Sequence, residues 1–377
     1  MTAMPPTLSV IVRLADDPDA AARVFDALAM SELARPQWEL IVVTPGRPDT
    51  AIDIAAQRAD VIVRLDRPWA DGSAYVCNRG AEVARAPVLV FLEGHVLVRP
   101  DTLERIARAF TDEQLAAVVA GIDPAPRSAD LVTRCATLLH DAAHRRCLGE
   151  SEHFTTCAGA IRRRVFFACG ELDEWPSSPQ ACAGADLGLR LRALGHRVDV
   201  RDDIRVAHNG PISWKEAAQP CALQQLPPPW LRLLASKAAT TATGRFRERE
   251  QWMSRWAWLA AAGIVIGVGV RSAKTALLAV TIAAVGFLVD APLMLRMVRN
   301  GGVTVAALAL VLRMSMLLIQ GGRSLANRIR VRVIGEPRPA PGIEALGEVG
   351  VQRWPPAPSR AHPVLARETA QPPGRGG

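Results

Sequence analysis

The chain has 377 residues, 49% of them hydrophobic, and a net charge of +8. That length allows one large core and a second structural region. The arginines are spread without a basic stripe, and one Tyr and eight Phe leave few stacking platforms, so no nucleic-acid partner is expected. Seven scattered Cys with no C-x-x-C pair argue against a disulfide scaffold or a zinc ribbon and fit a reducing compartment.

The N-terminus "MTAMPPTLSVIVRL" lacks a basic stretch followed by a long apolar core, so no signal peptide is expected. The apolar run "LSVIV" (8–12) predicts a first strand, and "AAARVFDALAM" a helix. Then come "ELIVV" (39–43), a helical "DTAIDIAAQRA", "VIVRL" (61–65), a helical "AYVCNRGAEVARA" and "VLVFL" (88–92). This spacing of strands and helices predicts right-handed βαβ units and a mostly parallel sheet. The strands are apolar without alternation, as expected of a sheet covered on both faces. Ligands of such sheets bind beyond the carboxyl ends of the strands. "VLVFL" runs there into Glu93-Gly94-His95.

In "HDAAHRRC", His140, His144 and Cys147 share one helical face at i, i+4 and i+7. No Glu stands between the histidines as in H-E-x-x-H, so these residues are expected to be buried or surface polar groups rather than zinc ligands.

Near Trp252 the composition turns apolar. "WAWLAAAGIVIGVGV" (256–270) carries no charge and is short for a hydrocarbon core of ~30 Å, unless Arg255 snorkels and Trp252, Trp256 and Trp258 form an interfacial belt. "TALLAVTIAAVGFLVDAPLML" (275–295) is long enough to span and holds one acid, Asp290. "VTVAALALVLRMSMLLIQ" (303–320) is a third candidate, interrupted by Arg313. Its polar residues share no face, so it is expected to be buried or to span, with Arg313 paired to Asp290. Arg232, Lys237, Arg245, Arg247, Arg249 and Arg255 precede the first span, against Arg271 and Lys274 after it. That bias predicts a cytoplasmic N-terminal region on the cell membrane. From residue 335 the chain is Pro- and Gly-rich and is expected to be disordered. The predicted organisation is a catalytic region over 1–215, a juxtamembrane link over 216–251, two or three membrane helices over 252–334 and a tail over 335–377.

The ordered set "LSVIVRL", "ELIVVTPGRPDT", "NRGAEVARAPVLVFLEGHVLVRPDTL", "TTCAGAIRRRVFFACGELDEW", "ADLGLRLRALGHRV" and "VAHNG" resembles the family-2 glycosyltransferases over residues 8–210. The resemblance implies a GT-A-like α/β fold with flanking helices. It also implies transfer of a sugar from a nucleotide sugar, with inversion. The membrane segments suggest a lipid-linked or polymeric acceptor at the cytoplasmic face. In that family a D-x-D-like motif ends the strand and holds a divalent cation, Mn²⁺ or Mg²⁺, against the donor diphosphate. Here that motif is Glu93-Gly94-His95, and a D-x-H version occurs in polypeptide N-acetylgalactosaminyltransferases. One hard oxygen and one imidazole suit Mn²⁺, and His208 in "RVAHNG" matches a later histidine that closes the metal site. Asp49, Asn78, Gly80 and Glu93 match donor-side positions.

Three departures stand out. The leading acids of D-D-G-S-x-D are Thr44 and Pro45, the Arg of A-R-N-x-G is Cys77, and the E-D pair that carries the general base is Ala183-Gly184. Asp186 is the remaining acid at that locus and Asp173 the second candidate. The losses together leave a catalytically inactive, membrane-bound partner protein as the alternative. No Q-x-x-R-W motif precedes the membrane region, which argues against processive synthesis.

Overall fold

Unbroken apolar runs close the sequence's predicted strands into a sheet covered on both sides. The computed structural model describes residues 5–14, 17–44, 50–65, 73–125, 130–174, 180–219, 241–269, 274, 277, 281 and 290–334. The strands are β1 (Leu8–Arg13), β2 (Trp38–Thr44), β3 (Val61–Arg64), β4 (Val88–Glu93), β5 (Val96–Val98), β6 (Leu115–Ile122), β7 (Gly149–Ser151), β8 (Ala158–Arg162) and β9 (Arg197–His208). Successive side chains on a strand point to opposite faces. Val10 and Val12 of β1 therefore join one core, while Ile11 joins the other.

The helices α1 (Pro18–Ala29), α2 (Thr50–Arg58) and α4 (Thr102–Ala109) cover the first face. On the second lie α3 (Ser73–Val83), α6 (Arg163–Ala168) and α7 (Gln180–Ala193). Asp17 caps α1, with Pro18 in its first turn, and Asp130 caps α5 (Leu131–Arg146). Both are expected helix starts. Gly80 of α3 lies so close to the sheet that a Cβ there would stand 2.4 Å from the Ile11 side chain. A glycine is required by helix–sheet packing at this position.

The sheet order is β3-β2-β1-β4-β8-β6-β9-β5, with β7 also on β9. β1, β2, β3 and β4 pair in parallel through helical crossovers, as does β6 with β9. The pairs β4–β8, β6–β8, β5–β9 and β7–β9 are antiparallel. The expectation of a mostly parallel sheet holds for its N-terminal half; the whole is mixed. The reason is that β8 inserts between β4 and β6 and runs antiparallel to both.

Beyond the short α8 (Trp214–Ala217), α9 (Ala242–Gly269) and α10 (Ala291–Ile334) complete the described chain. α10 is interrupted at Gly302, whose φ of 84° suits glycine. α9 runs through Trp252, and its first turns are anchored on the sheet region: Arg247 meets Glu152 at 3.1 Å and His153 Nδ1 at 2.6 Å, and Thr243 bonds Ser151. In α10, Val305, Ala309, Leu312 and Met316 pack on Cys135, Ala136, Leu139 and Ala142 of α5. The sheet region thus occupies one face of α10, while Val303, Val311, Leu325 and Ile329 remain exposed on others.

Arg313 is buried. Its guanidinium forms a bidentate pair with Glu250 of α9 (2.5 and 2.6 Å) and meets Asp290 at 2.9 Å. Asp290 also holds Arg249 at 2.8 Å. The expected Arg313–Asp290 pair is present, with Glu250 as a further partner. Two of the basic residues counted toward orientation, Arg247 and Arg249, are therefore engaged within the protein. Among the described residues one helix, Ala291–Ala326, is long and apolar enough to cross a membrane. Most of the predicted second span and all of the tail lie outside the described residues.

Candidate active site

The carboxyl ends of β1 and β4 meet in register, Arg13 opposite Glu93. The Arg13 guanidinium stands 3.8 Å from the Glu93 carboxylate. A tight turn after β4 then brings His95 back, with Nδ1 3.2 Å from Glu93 Oε2. Asn209 locks this turn: its backbone N–H donates to the His95 carbonyl (2.7 Å) and its side-chain amide to the carbonyls of Gly94 (3.2 Å) and Ala20 (2.8 Å). Arg23 in turn donates to the Asn209 side-chain oxygen at 2.7 Å.

The antiparallel β4–β8 pairing sets Cys157 beside this turn, where its carbonyl accepts from Glu93 N–H at 3.2 Å. Cys157 Sγ lies 3.5 Å from His95 Nε2. Glu93, His95 and Cys157 each offer a ligand atom within 4.8 Å of the others'. Among the described residues this is the one cluster of His, Cys, Asp or Glu with such spacing. One carboxylate oxygen, one imidazole nitrogen and one sulfur make a donor set that fits a divalent cation.

His208, the expected third ligand, lies beside this cluster. Its ring centroid is 5.3 Å from that of His95, and its Nδ1 pairs with the Gly210 carbonyl at 3.0 Å. Burial holds its pKa down; the Gly210 carbonyl raises it and His95 lowers it. His140 of α5 feels both imidazoles. Burial, then His208 and His95, push its pKa down to about 4. Its Nε2 is buried without a hydrogen-bond partner among the described residues. Burial and the Glu93 charge push the Cys157 thiol up, so it is a thiol until a cation displaces the proton.

The remaining predicted residues divide by location. Cys77 is buried and feels the charges of Glu93 and Arg13, so it borders the site. Asn78 joins α3 to the segment before α7. Its amide donates to Leu172 O and to Glu174, both at 2.8 Å, and its oxygen accepts from Leu172 N–H at 3.1 Å. Gly80 faces the sheet core. Asp173 is exposed at the end of that segment. Asp186 is held by Arg190, with N–O distances of 2.7 and 2.9 Å, and Arg190 also donates to Glu171 O. Asp49 lies outside the described residues.

Gly184 occupies half of the missing base pair, and its surroundings show why no side chain stands there. A Cβ would sit 2.5 Å from the Phe154 carbonyl. One turn on, a Cβ at Gly188 would meet the Glu152 carbonyl at 2.4 Å. The two glycines let α7 lie directly on the backbone of residues 152–155. Asp186, about 200° around the helix from Gly184, is turned away from that contact.

The His140, His144 and Cys147 triplet does not converge. His144 Nε2 pairs with Arg201 O at 2.9 Å, and Cys147 is buried in the second core. Sequence reasoning missed Cys157 and Asn209, although both stand in the quoted stretches "TTCAGAI" and "VAHNG". The only local signal was their position at strand ends.

The family model described as glycosyl transferase family 2 matches residues 9–170. Among solved structures, the mannosyltransferase PcManGT from Pyrobaculum calidifontis, determined in complex with GDP-Man and Mn²⁺, is similar at 14% identity. That match covers 88% of each chain with a TM-score of 0.53. S. aureus TarS 1–349 is 13% identical over 86% of this chain and 91% of its own, with a TM-score of 0.43. Its complex with UDP-GlcNAc is 12% identical over 86% and 92%, with a TM-score of 0.45. No curated protein matches the chain. Residues 9–170 are thus similar in sequence to glycosyl transferase family 2, and the chain carries a GT-A-like mixed sheet with flanking helices.

Proposed function

We propose that the chain transfers a sugar from a nucleotide-sugar donor to a lipid-linked or polymeric acceptor at a membrane. The observation that carries this reading is the meeting of Glu93, His95 and Arg13 at the carboxyl edge of the parallel strands, where α/β sheets bind ligands. Glu93 and His95 would hold a divalent cation, which when bound would neutralise the charge that develops on a leaving nucleoside diphosphate. Arg13 faces the same edge and adds positive charge for the phosphates. Asn209 keeps the Gly94–His95 turn in place, and Gly94 lets the backbone approach the donor closely. An inverting transfer also needs a carboxylate for the acceptor hydroxyl proton. The two candidates are Asp186, which pairs with Arg190, and Asp173, which stands at the exposed end of the segment before α7. The open apolar sides of α9 and α10, including Trp252, Trp258, Leu259 and Ile266, suit a lipid environment, and the neighbouring arginines suit a cytoplasmic face.

The test is binding of UDP and GDP by the detergent-purified chain, with and without Mn²⁺, followed by transfer from a nucleotide-sugar panel. Glu93→Gln and His95→Ala are expected to weaken cation-dependent nucleotide binding by at least ~10-fold, because each removes a ligand. Unchanged binding in both variants overturns the reading.

A second reading has its own observation. Gly184 lies against the Phe154 backbone and leaves no room for a base at that position. The chain would then be an inactive partner protein that keeps donor binding. Nucleotide binding without donor hydrolysis or transfer supports this second reading.

A further inference from the structure

We propose that Cys157 is a ligand of the Glu93–His95 cation, and that its sulfur makes the site selective for a thiophilic divalent ion, Zn²⁺ above Mn²⁺ or Mg²⁺. This deepens the donor-site reading and rests on its assignment of Glu93 and His95 as ligands.

Three observations carry it. The first is distance. One ligand atom from each of Glu93, His95 and Cys157 lies within 4.8 Å of the others, with His95 Nδ1 towards Glu93 and Nε2 towards Cys157. Ligand atoms around zinc, at bond lengths of ~2.0–2.3 Å, sit about 3.3–3.8 Å apart in a tetrahedron. Closing the site therefore requires shifts of about 1 Å, within the reach of a side-chain rotation.

The second observation is that Cys157 is built into place. Its carbonyl accepts from Glu93 N–H at 3.2 Å, and the next residue, Ala158, is paired with Leu92 across β4–β8. Its own N–H donates to Thr155 Oγ1 at 3.2 Å. The sulfur is tied to the strand end that carries Glu93, in the same way that two ligands on one ribbon are.

The third observation is the chemistry of the donors. Mg²⁺ and Mn²⁺ favour oxygen, whereas thiolate and imidazole favour the later ions of the series and zinc. A carboxylate, an imidazole and a thiolate leave one tetrahedral position, which a donor phosphate oxygen or His208 would fill. Binding deprotonates the thiol and releases the proton to solvent. No electron transfer is involved.

The experiment uses the full chain in detergent, stripped with a chelator and titrated with Zn²⁺, Co²⁺, Mn²⁺ and Mg²⁺. Zn²⁺ is expected to bind roughly 100-fold or more tighter than Mn²⁺. The Co²⁺ form is expected to show near-ultraviolet thiolate-to-metal charge-transfer absorption. Cys157→Ser and Cys157→Ala should abolish that absorption and reduce the Zn²⁺ preference at least ~10-fold, with melting temperatures checking that both variants fold. His208→Ala should retain the absorption. Equal Zn²⁺ and Mn²⁺ affinities, or a Co²⁺ complex without the thiolate band, overturn the proposal. So does fast alkylation of Cys157 by iodoacetamide at neutral pH that Zn²⁺ does not slow. That outcome would make Cys157, His95 and Glu93 a nucleophilic triad instead. A thiolate band without UDP or GDP binding keeps the ion site and overturns the donor reading. Mn²⁺-dependent nucleotide binding without the band does the reverse.

Discussion

At the scale of single residues, the same side-chain type does different work according to what faces it. Asp186 and Asp173 are both acids in stretches that resemble the acceptor side of the family. Asp186 is engaged by Arg190, and Asp173 is exposed. For whichever of the two takes the acceptor proton, the Asn variant is expected to slow sugar transfer by ~100-fold or more while sparing nucleotide binding. Asp186→Asn should in either case lose ~1–3 kcal/mol of stability with the charge-assisted bonds to Arg190. Rates and melting curves measured on Asp173→Asn and Asp186→Asn identify which of the two carries the base role. Glu93 and His95 could be read from the sequence because they follow the apolar run of β4 at its carboxyl end, and His208 through its match to the family's later histidine. Cys157 could not be read, because a thiol is chemically defined by its neighbours, and those arrive through an antiparallel pairing far along the chain. Asn78 matches a donor-side motif, yet its amide groups bond Leu172 and Glu174.

At the scale of elements, two contacts decide how the site is framed. The first is α7 against residues 152–155, which only glycine permits at 184 and 188. Gly184→Ala places a methyl 2.5 Å from a backbone oxygen, so the helix must move outward. A loss of ~1–3 kcal/mol is expected, read as a lower denaturation midpoint. An acid at position 184, where the resemblance to family-2 glycosyltransferases implies one, therefore cannot be introduced without shifting α7.

The second contact joins α9 and α10 through Arg313, Glu250 and Asp290. Arg313→Ala leaves two buried carboxylates without their shared cation. That change is expected to cost ~3–5 kcal/mol. Replacing all three together, Arg313→Met with Glu250→Gln and Asp290→Asn, should recover part of the loss, because no charge is then stranded. Thermal unfolding of the single and triple variants in one detergent checks the order. The sequence showed that Arg313 needs an acid and named Asp290. It did not show Glu250, which comes from the preceding helix across an intervening segment.

At the scale of the whole molecule, burial of neutral imidazoles links stability to pH. His140, His144 and His153 all have pKa values lowered by burial. Unfolding returns each to about 6.5, so the unfolded chain binds more protons over that interval. The neutral forms cost nothing above pH ~6.5. As pH falls below that value, stability is lost, and for His140 the loss continues until pH reaches about 4. The expected result is a melting temperature that drops steadily from pH ~6.5 downward. His140→Gln, which has no charge to gain, should make that slope shallower; an unchanged slope assigns the effect to the other two.

The sequence by itself determined the strand and helix alternation, the strand-end position of Glu93 and His95, and the apolar character of the C-terminal helices. These are local properties: side-chain periodicity and composition are written in consecutive residues. Only the tertiary structure decided that the sheet is mixed, because an apolar strand reads alike in either direction and its connection selects the pairing. The fold likewise set Cys157 beside His95, closed α7 onto Phe154 and laid the apolar α10 along α5. Each of those outcomes depends on which distant surfaces meet, and a run of neighbouring residues carries no record of its eventual partner across the fold.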